Sequence, residues 1–217
     1  MGIREVLETR AHLYSFLSRV FLEEPPREMI KDIVSGNFPI PYSLGSLNEE
    51  LEKGIKMLGD FIENAEKNED ALLDQLTCEY TDLFIGPSRD IILPYESGYT
   101  KMAEKTIPDV KKMYKKAGIM KSNEVHERED HIALELEYMS YLCWKELEAL
   151  DKGDTALELL EIQKDFMEKH LTNWTPNFCN DILKSKKAIF YKSIALITKG
   201  FLDFDKNLIE ELKGYMD

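Results

Sequence analysis

Apolar side chains recur along this chain at three- and four-residue spacings, the pattern of helix faces, and no segment sustains the alternation of a strand. Residues 3–22 carry Ile3, Val6, Leu7, Leu13, Tyr14, Leu17, Val20 and Phe21 on one stripe, which Pro25-Pro26 brings to an end. A shorter helix is predicted over 27–35, closed by Gly36, and Pro39, Pro41 and Gly45 make 37–45 a loop. Asn48 suits the cap of a third helix whose stripe is Leu51, Ile55, Leu58, Phe61 and Ile62. The charged run 63–70 returns the chain to solvent, and a fourth helix follows with Leu72, Leu73, Leu76, Tyr80, Leu83 and Phe84. Gly86-Pro87 is expected to stop it, glycine by accepting a positive φ and proline by lacking an N–H.

After a loop over 86–98 rich in proline and aromatic residues, the pattern predicts a short helix over 97–105, then another with Pro108 at its first position and Gly118 at its end. The stretch 121–129 is polar and reads as an exposed hinge between two helical groups. Residues 130–150 are apolar on most sides, including Ile132, Leu136, Tyr138, Met139, Leu142, Trp144 and Leu147, which places this helix at the centre of a bundle. Further helices are predicted through Leu157, Leu160, Ile162, Phe166 and Met167, from the cap pair Thr175-Pro176, and through Ile189, Ile194, Ile197 and Leu202. A break at Gly200 is expected before a terminal helix bearing Leu208, Ile209 and Leu212. The expected fold class is all-α: a single domain over 1–217, a bundle of about nine or ten helices with a hinge at 121–129.

At 217 residues the chain is long enough to bury a substantial core. Its 41 acidic against 28 basic side chains leave a formal charge of −13, which argues against nucleic acid, whose phosphates must be met by Lys and Arg, and suits a cationic partner. Solubility alone accounts for such a charge equally well. Cys78, Cys143 and Cys179 form no Cys-x-x-Cys pair and read as reduced core residues of a cytoplasmic protein. Arg4, Glu5 and Glu8 interrupt the first turns, so no signal peptide is expected there, and no apolar run nears the ~20 residues of a membrane span, so no stable membrane insertion is expected.

Two linked stretches organise the rest. The first, 79–99, reads Glu-Tyr-x-x-Leu-Phe-x-Gly-Pro and then Pro-Tyr-Glu-Ser-x-Tyr; the second, 130–139, reads Asp-His-Ile-Ala-x-Glu-Leu-x-Tyr-Met. With Leu13-Tyr14-x-Phe16-Leu17, His170-Leu171-x-x-Trp174-x-Pro176-x-Phe178 and Phe190-Tyr191, this order resembles the TorD/DmsD family of redox-enzyme maturation chaperones over nearly the whole chain. The resemblance implies a TorD-like helical fold and a non-enzymatic role with no cofactor. As partner it implies the twin-arginine signal peptide of a molybdoenzyme precursor, held in the cytoplasm until the enzyme is mature. By the family's motifs, the residues expected at the peptide are Tyr80, Leu83, Phe84, Gly86, Pro87, Pro94, Tyr95, Glu96, Ser97, Tyr99, Asp130 and His131. Many members carry a proline two residues before the Asp-His pair, where this chain has Arg128. A nitrate-reductase assembly chaperone, which binds a subunit lacking an exported signal, is the near alternative.

The side chains supply both parts of such a site. Glu127, Glu129 and Asp130 gather at the start of the helix over 130–150, where planar carboxylates can take the forked donors of two arginines, Glu127 and Glu129 forming an acidic rim. Asp130 is expected to cap that helix and His131 to face Glu135 one turn on. Tyr95 and Tyr99, in a Pro-rich loop, offer an apolar wall for the segment that follows the arginines, while Leu83 and Phe84 are equally at home in a core. Successive helix residues point ~100° apart, so Asp130 cannot orient His131 as a triad aspartate does. The di-iron pattern Glu-x-x-His fails because Arg128 stands three before His131, and no metal is expected; a helical metal-dependent enzyme using His126, Asp130, His131 and Glu135 is the reading from another class. No Gly-x-Ser-x-Gly, Walker or Gly-x-Gly-x-x-Gly pattern occurs, so neither a nucleophile elbow nor a phosphate cradle for a guanine nucleotide is expected. A monomer is expected, with exchange of the C-terminal helices about 121–129 as the route to a dimer.

Overall fold

Helix follows helix along the computed structural model, which describes residues 2–36, 39–87, 91–186 and 188–216. They are α1 (Ile3–Leu22), α2 (Arg27–Ser35), α3 (Glu49–Asn64), α4 (Glu69–Phe84), α5 (Ala103–Lys116), α6 (Ile132–Lys152), α7 (Leu157–Phe166), α8 (Thr172–Lys184) and α9 (Phe190–Met216). Short 3₁₀ turns stand at Tyr42–Ser46 and Glu96–Gly98. Among the described residues there is no strand, only an isolated antiparallel bridge between Tyr95 and His131. The class is therefore all-α, as the periodicity predicts. Parts of the two loops predicted from sequence, at 37–38 and 88–90, lie outside the described residues.

Local chemistry sets most of the boundaries. The side chains of Asn48 and Asn68 accept the N–H groups of Leu51 (2.9 Å) and Ala71 (3.0 Å), satisfying donors that the first turns of α3 and α4 leave open. Gly36 and Gly153 close α2 and α6 with φ of 75° and 72°, a conformation that costs glycine little.

Several boundaries differ from the sequence reading; where a helix is expected over 97–105, a 3₁₀ turn stands at Glu96–Gly98 and α5 opens at Ala103. The π turn Met167–Leu171 joins α7 to α8, so 157–184 is one helical run and the continuous helices among the described residues are eight rather than nine or ten. Thr175 and Pro176 consequently lie inside α8; the chain enters from a helical turn, leaving no open helix start for Thr175 to cap. Pro108 is likewise inside α5, where its missing N–H leaves the carbonyl of exposed Glu104 to water. Gly200 breaks nothing: α9 runs through it, and a Cβ there would stand 2.8 Å from both Asn48 Oδ1 and the Leu51 nitrogen. Its lack of a side chain admits the start of α3, and Asn48 Nδ2 donates to the Gly200 carbonyl at 2.8 Å.

The chain forms two compact units. The first comprises Met1–Leu22, Pro94–Thr175 and Asp205–Asp217; the second comprises Glu23–Leu93 and Pro176–Phe204. In the first, α1 packs along α6, with Leu7, Tyr14, Leu17, Leu136, Met139 and Leu142 fully or almost fully buried. Tyr138 sits edge-on to Phe166 at 4.6 Å between centroids, an arrangement that aligns ring edge with ring face. In the second unit Phe61 packs against Phe190 and Phe84 against Phe178, and the buried carboxylate of Glu79 accepts the N–H groups of Ile189 and Phe190 at 3.1 Å, opening α9.

Buried in the first unit is a charge network that the sequence reading missed. Arg10 donates to Asp205 through Nε (2.6 Å) and Nη2 (3.1 Å), to Glu146 (3.0 Å) and to Gln163 (2.6 Å), while the Tyr14 hydroxyl donates to Asp205 at 2.6 Å. Burial pushes the Glu146 carboxyl up to about 7 despite the adjacent guanidinium. Cys143 and Cys179 are buried as expected; Cys78 is exposed, because it falls on the outward face of α4 between buried Leu76 and Tyr80.

Candidate functional site

The start of α6 is assembled from a loop far away in sequence. Pro94 and Tyr95 run extended beside residues 130–132, with the Ile132 N–H on the Pro94 carbonyl and the Glu96 N–H on the Asp130 carbonyl, both at 2.9 Å. Asp130 does not cap α6. That place belongs to His131, which lies extended and whose Nδ1 accepts the Ala133 N–H at 3.1 Å. Asp130 is freed to turn its carboxylate toward the loop, where Oδ2 accepts the Ser97 N–H at 3.0 Å. Nor does His131 face Glu135: its ring stands edge-on to Tyr95, centroids 5.0 Å apart. Burial outweighs the nearby carboxylates of Glu127 and Asp130 and lowers His131 to about 4, so the ring is neutral at neutral pH, with its proton on Nε2.

Around this ladder lie the charged groups. The Tyr95 hydroxyl donates to Glu127, and Arg128 lies over the Tyr95 ring and pairs with Asp130. Glu129 turns the other way, pairing with Lys111 at 3.2 Å, and its carbonyl accepts from the Tyr114 hydroxyl at 3.0 Å. The acidic run is thus split: Glu127 and Asp130 share one face with Tyr95, and Glu129 is engaged elsewhere.

Glu96, expected at the peptide, is buried. Its Oε2 lies 2.9 Å from His170 Nδ1, and Trp174 Nε1 donates to Glu135 at 3.0 Å. Burial, reinforced by the negative charge of Glu96, raises Glu135 well above the ordinary carboxylate range. Tyr99 is half-buried and packs 5.6 Å from Trp174. The motif that contains His170 and Trp174 assigns them no role; their spacing of four, one helical turn, is the sign in the sequence that they share a face.

The remaining expected residues belong to the second unit. Tyr80, Leu83 and Phe84 are 5%, 5% and 9% exposed, and the two rings pack against Tyr191. Gly86 does not end α4 through a positive φ. The N–H groups of Ile85 and Gly86 both close on the Thr81 carbonyl (3.1 and 2.7 Å), and a Cβ on Gly86 would come within 3.2 Å of that oxygen. Pro87 is exposed, and the Ile92 N–H returns to the Leu83 carbonyl at 2.9 Å.

Among the described residues no three His, Cys, Asp or Glu side chains are grouped so as to hold a metal ion, and His126 is exposed. Among them, too, no helix is long and apolar enough to cross a membrane.

Comparison with known proteins bears on this arrangement. The family model described as nitrate reductase delta subunit matches residues 44–180. The chaperone protein TorD of Vibrio cholerae strain O395 is 26% identical over 208 residues, covering 94% of this chain and 94% of that protein. The chaperone protein TorD of Aliivibrio fischeri is 28% identical over 204 residues, covering 91% and 93% respectively, and that of Photobacterium profundum is 26% identical over 203 residues with the same coverage. These relatives are named as chaperones and not as enzymes. A match over more than half its length, with full-length kinship to TorD proteins, shows that this chain belongs to the nitrate reductase delta subunit family and, within it, to the TorD/DmsD type of maturation chaperone.

Proposed function

We propose that this protein is a cytoplasmic chaperone that binds the twin-arginine signal peptide of a molybdenum-dependent oxidoreductase precursor and holds it until the enzyme is mature. The observation that carries the reading is the pairing, at the start of α6, of a fully buried carboxylate, Asp130, with the half-buried face of Tyr95. A carboxylate beside an aromatic ring accepts a guanidinium in two ways at once, by charge-assisted hydrogen bonds and by its flat face. Glu127 adds negative charge beside the ring, and half-buried Tyr99 extends an apolar flank for the segment after the arginines. The total charge of −13 draws a basic, apolar peptide without offering a surface to nucleic acid.

Titration calorimetry with the leader peptide of a client enzyme tests this. Asp130→Asn keeps an acceptor for the Ser97 N–H but removes the charge. It should weaken the peptide by ~2–5 kcal/mol and flatten the salt dependence of binding, with the melting temperature nearly kept. Unchanged affinity in that variant removes Asp130 from the site. The family description names a nitrate reductase, and the second reading that goes with it is an assembly chaperone for a subunit without an exported signal. Binding of such a subunit, together with indifference to the leader peptide, would select it.

A further inference from the structure

The proposed site already contains an arginine. The guanidinium carbon of Arg128 stands 4.2 Å from the Tyr95 ring centroid. Its Nε lies 3.2 Å from Asp130 Oδ1, and its Nη2 donates to Ser97 Oγ at 3.0 Å and reaches Asp130 Oδ2 at 3.5 Å. An aromatic face, a carboxylate and a hydroxyl are together what a guanidinium recognises. The fit is loose, however. The Arg128 side chain is 50% exposed, while that of Asp130 is 0% exposed. Asp130 Oδ1, sealed from water, receives no hydrogen bond of good geometry and is met only through the ion pair. A buried carboxylate oxygen in that condition gains from a donor that meets it squarely.

We propose that Arg128 is a resident guanidinium, filling in the free protein the seat that an arginine of the bound peptide takes, and swinging into solvent when that arginine arrives. The inference rests on the peptide-binding reading above and adds a competition within the chain. Asp130 is then never left buried without a cation. Losing the resident guanidinium offsets part of what the incoming one contributes, which keeps binding reversible. Lysine, a point charge with no plane to lay on Tyr95 and no fork for two oxygens, displaces the resident poorly. Arg128 thereby sets both affinity and selectivity.

The test compares wild type, Arg128→Ala and Lys111→Gln by calorimetry against a leader peptide with its arginine pair and the same peptide with two lysines. Nuclear magnetic resonance of the Tyr95 and His131 rings, titrated with N-acetyl-arginine amide, runs beside it. Arg128→Ala should bind the arginine peptide roughly five- to tenfold tighter, as expected when a half-exposed ion pair and a cation–π contact no longer compete. The lysine peptide should gain far less. Lys111→Gln, which removes the same charge from the Glu129 side, should change neither by more than about twofold. The arginine amide should shift both rings in Arg128→Ala and leave wild type undisturbed. Equal tightening by Lys111→Gln would reduce the effect to net charge and overturn the proposal. So would an unchanged Arg128→Ala in a protein that binds the peptide, which leaves the chaperone reading standing. If no variant binds the peptide while the amide still enters Arg128→Ala, the seat stands and the chaperone reading falls; failure of both measurements sinks both.

Discussion

At the scale of single residues, His131 has a role that can be checked apart from any partner. An unfolded histidine takes a proton near ~6.5, whereas the buried ring of His131 refuses one until about 4. The unfolded chain therefore binds the extra proton between those values, and the folded form loses stability as pH falls through that window. His131→Asn keeps a cap acceptor without the titration, so wild type should lose more of its melting temperature than the variant between about pH 7 and about pH 5. A His131 ring signal that titrates near its ordinary value would contradict the burial argument. The importance of Asp130 and His131 was legible in the sequence, but their division of labour was not. Cap preferences rank aspartate above histidine; what reverses the order is the Ser97 amide, placed by a loop 33 residues earlier. Local rules have no access to such a partner.

Helices are where the sequence spoke most clearly. The stripes of α1, α3, α4 and α6 and the Asn48 cap lie where the periodicity puts them, because each depends on side chains a turn apart. Gly200 is the instructive failure. Glycine weakens an isolated helix, and a break is the natural expectation; here the same absent side chain lets two backbones meet. On an open helix face glycine to alanine adds up to ~1 kcal/mol of stability. Gly200→Ala should do the opposite and destabilise by ~1–3 kcal/mol, since the new methyl collides with Asn48 and Leu51. Chemical denaturation decides: a more stable variant would show that α3 can retreat. The continuous α7, π turn and α8 were equally hidden, because Thr175-Pro176 carries every mark of a helix start that an incoming helical turn overrides.

For the whole molecule the governing feature is the charge network around Arg10. Its members stand on apolar stripes, Arg10 between Leu7 and Leu17, Glu146 after Met139 and Leu142, and Asp205 between Phe201 and Ile209, so the sequence marked them as misplaced charges without saying that they meet. Folded Glu146 keeps its proton up to about 7, while the unfolded chain gives it up near ~4.3, so this group favours the fold at low pH and ceases to as pH rises through 7. Glu146→Gln is neutral throughout; wild type should lose more thermal stability than this variant between about pH 5 and about pH 8, and parallel profiles would place the proton elsewhere. The network also imposes an order in time. Arg10 is made well before Asp205, with the whole of the second unit encoded between them. A nascent chain can therefore close the second unit first, while burying Arg10 without its carboxylate partner would be strongly unfavourable. The unit that holds Asp130 and Tyr95 is the later to mature, so the proposed peptide surface is unfinished until Asp205 has been made.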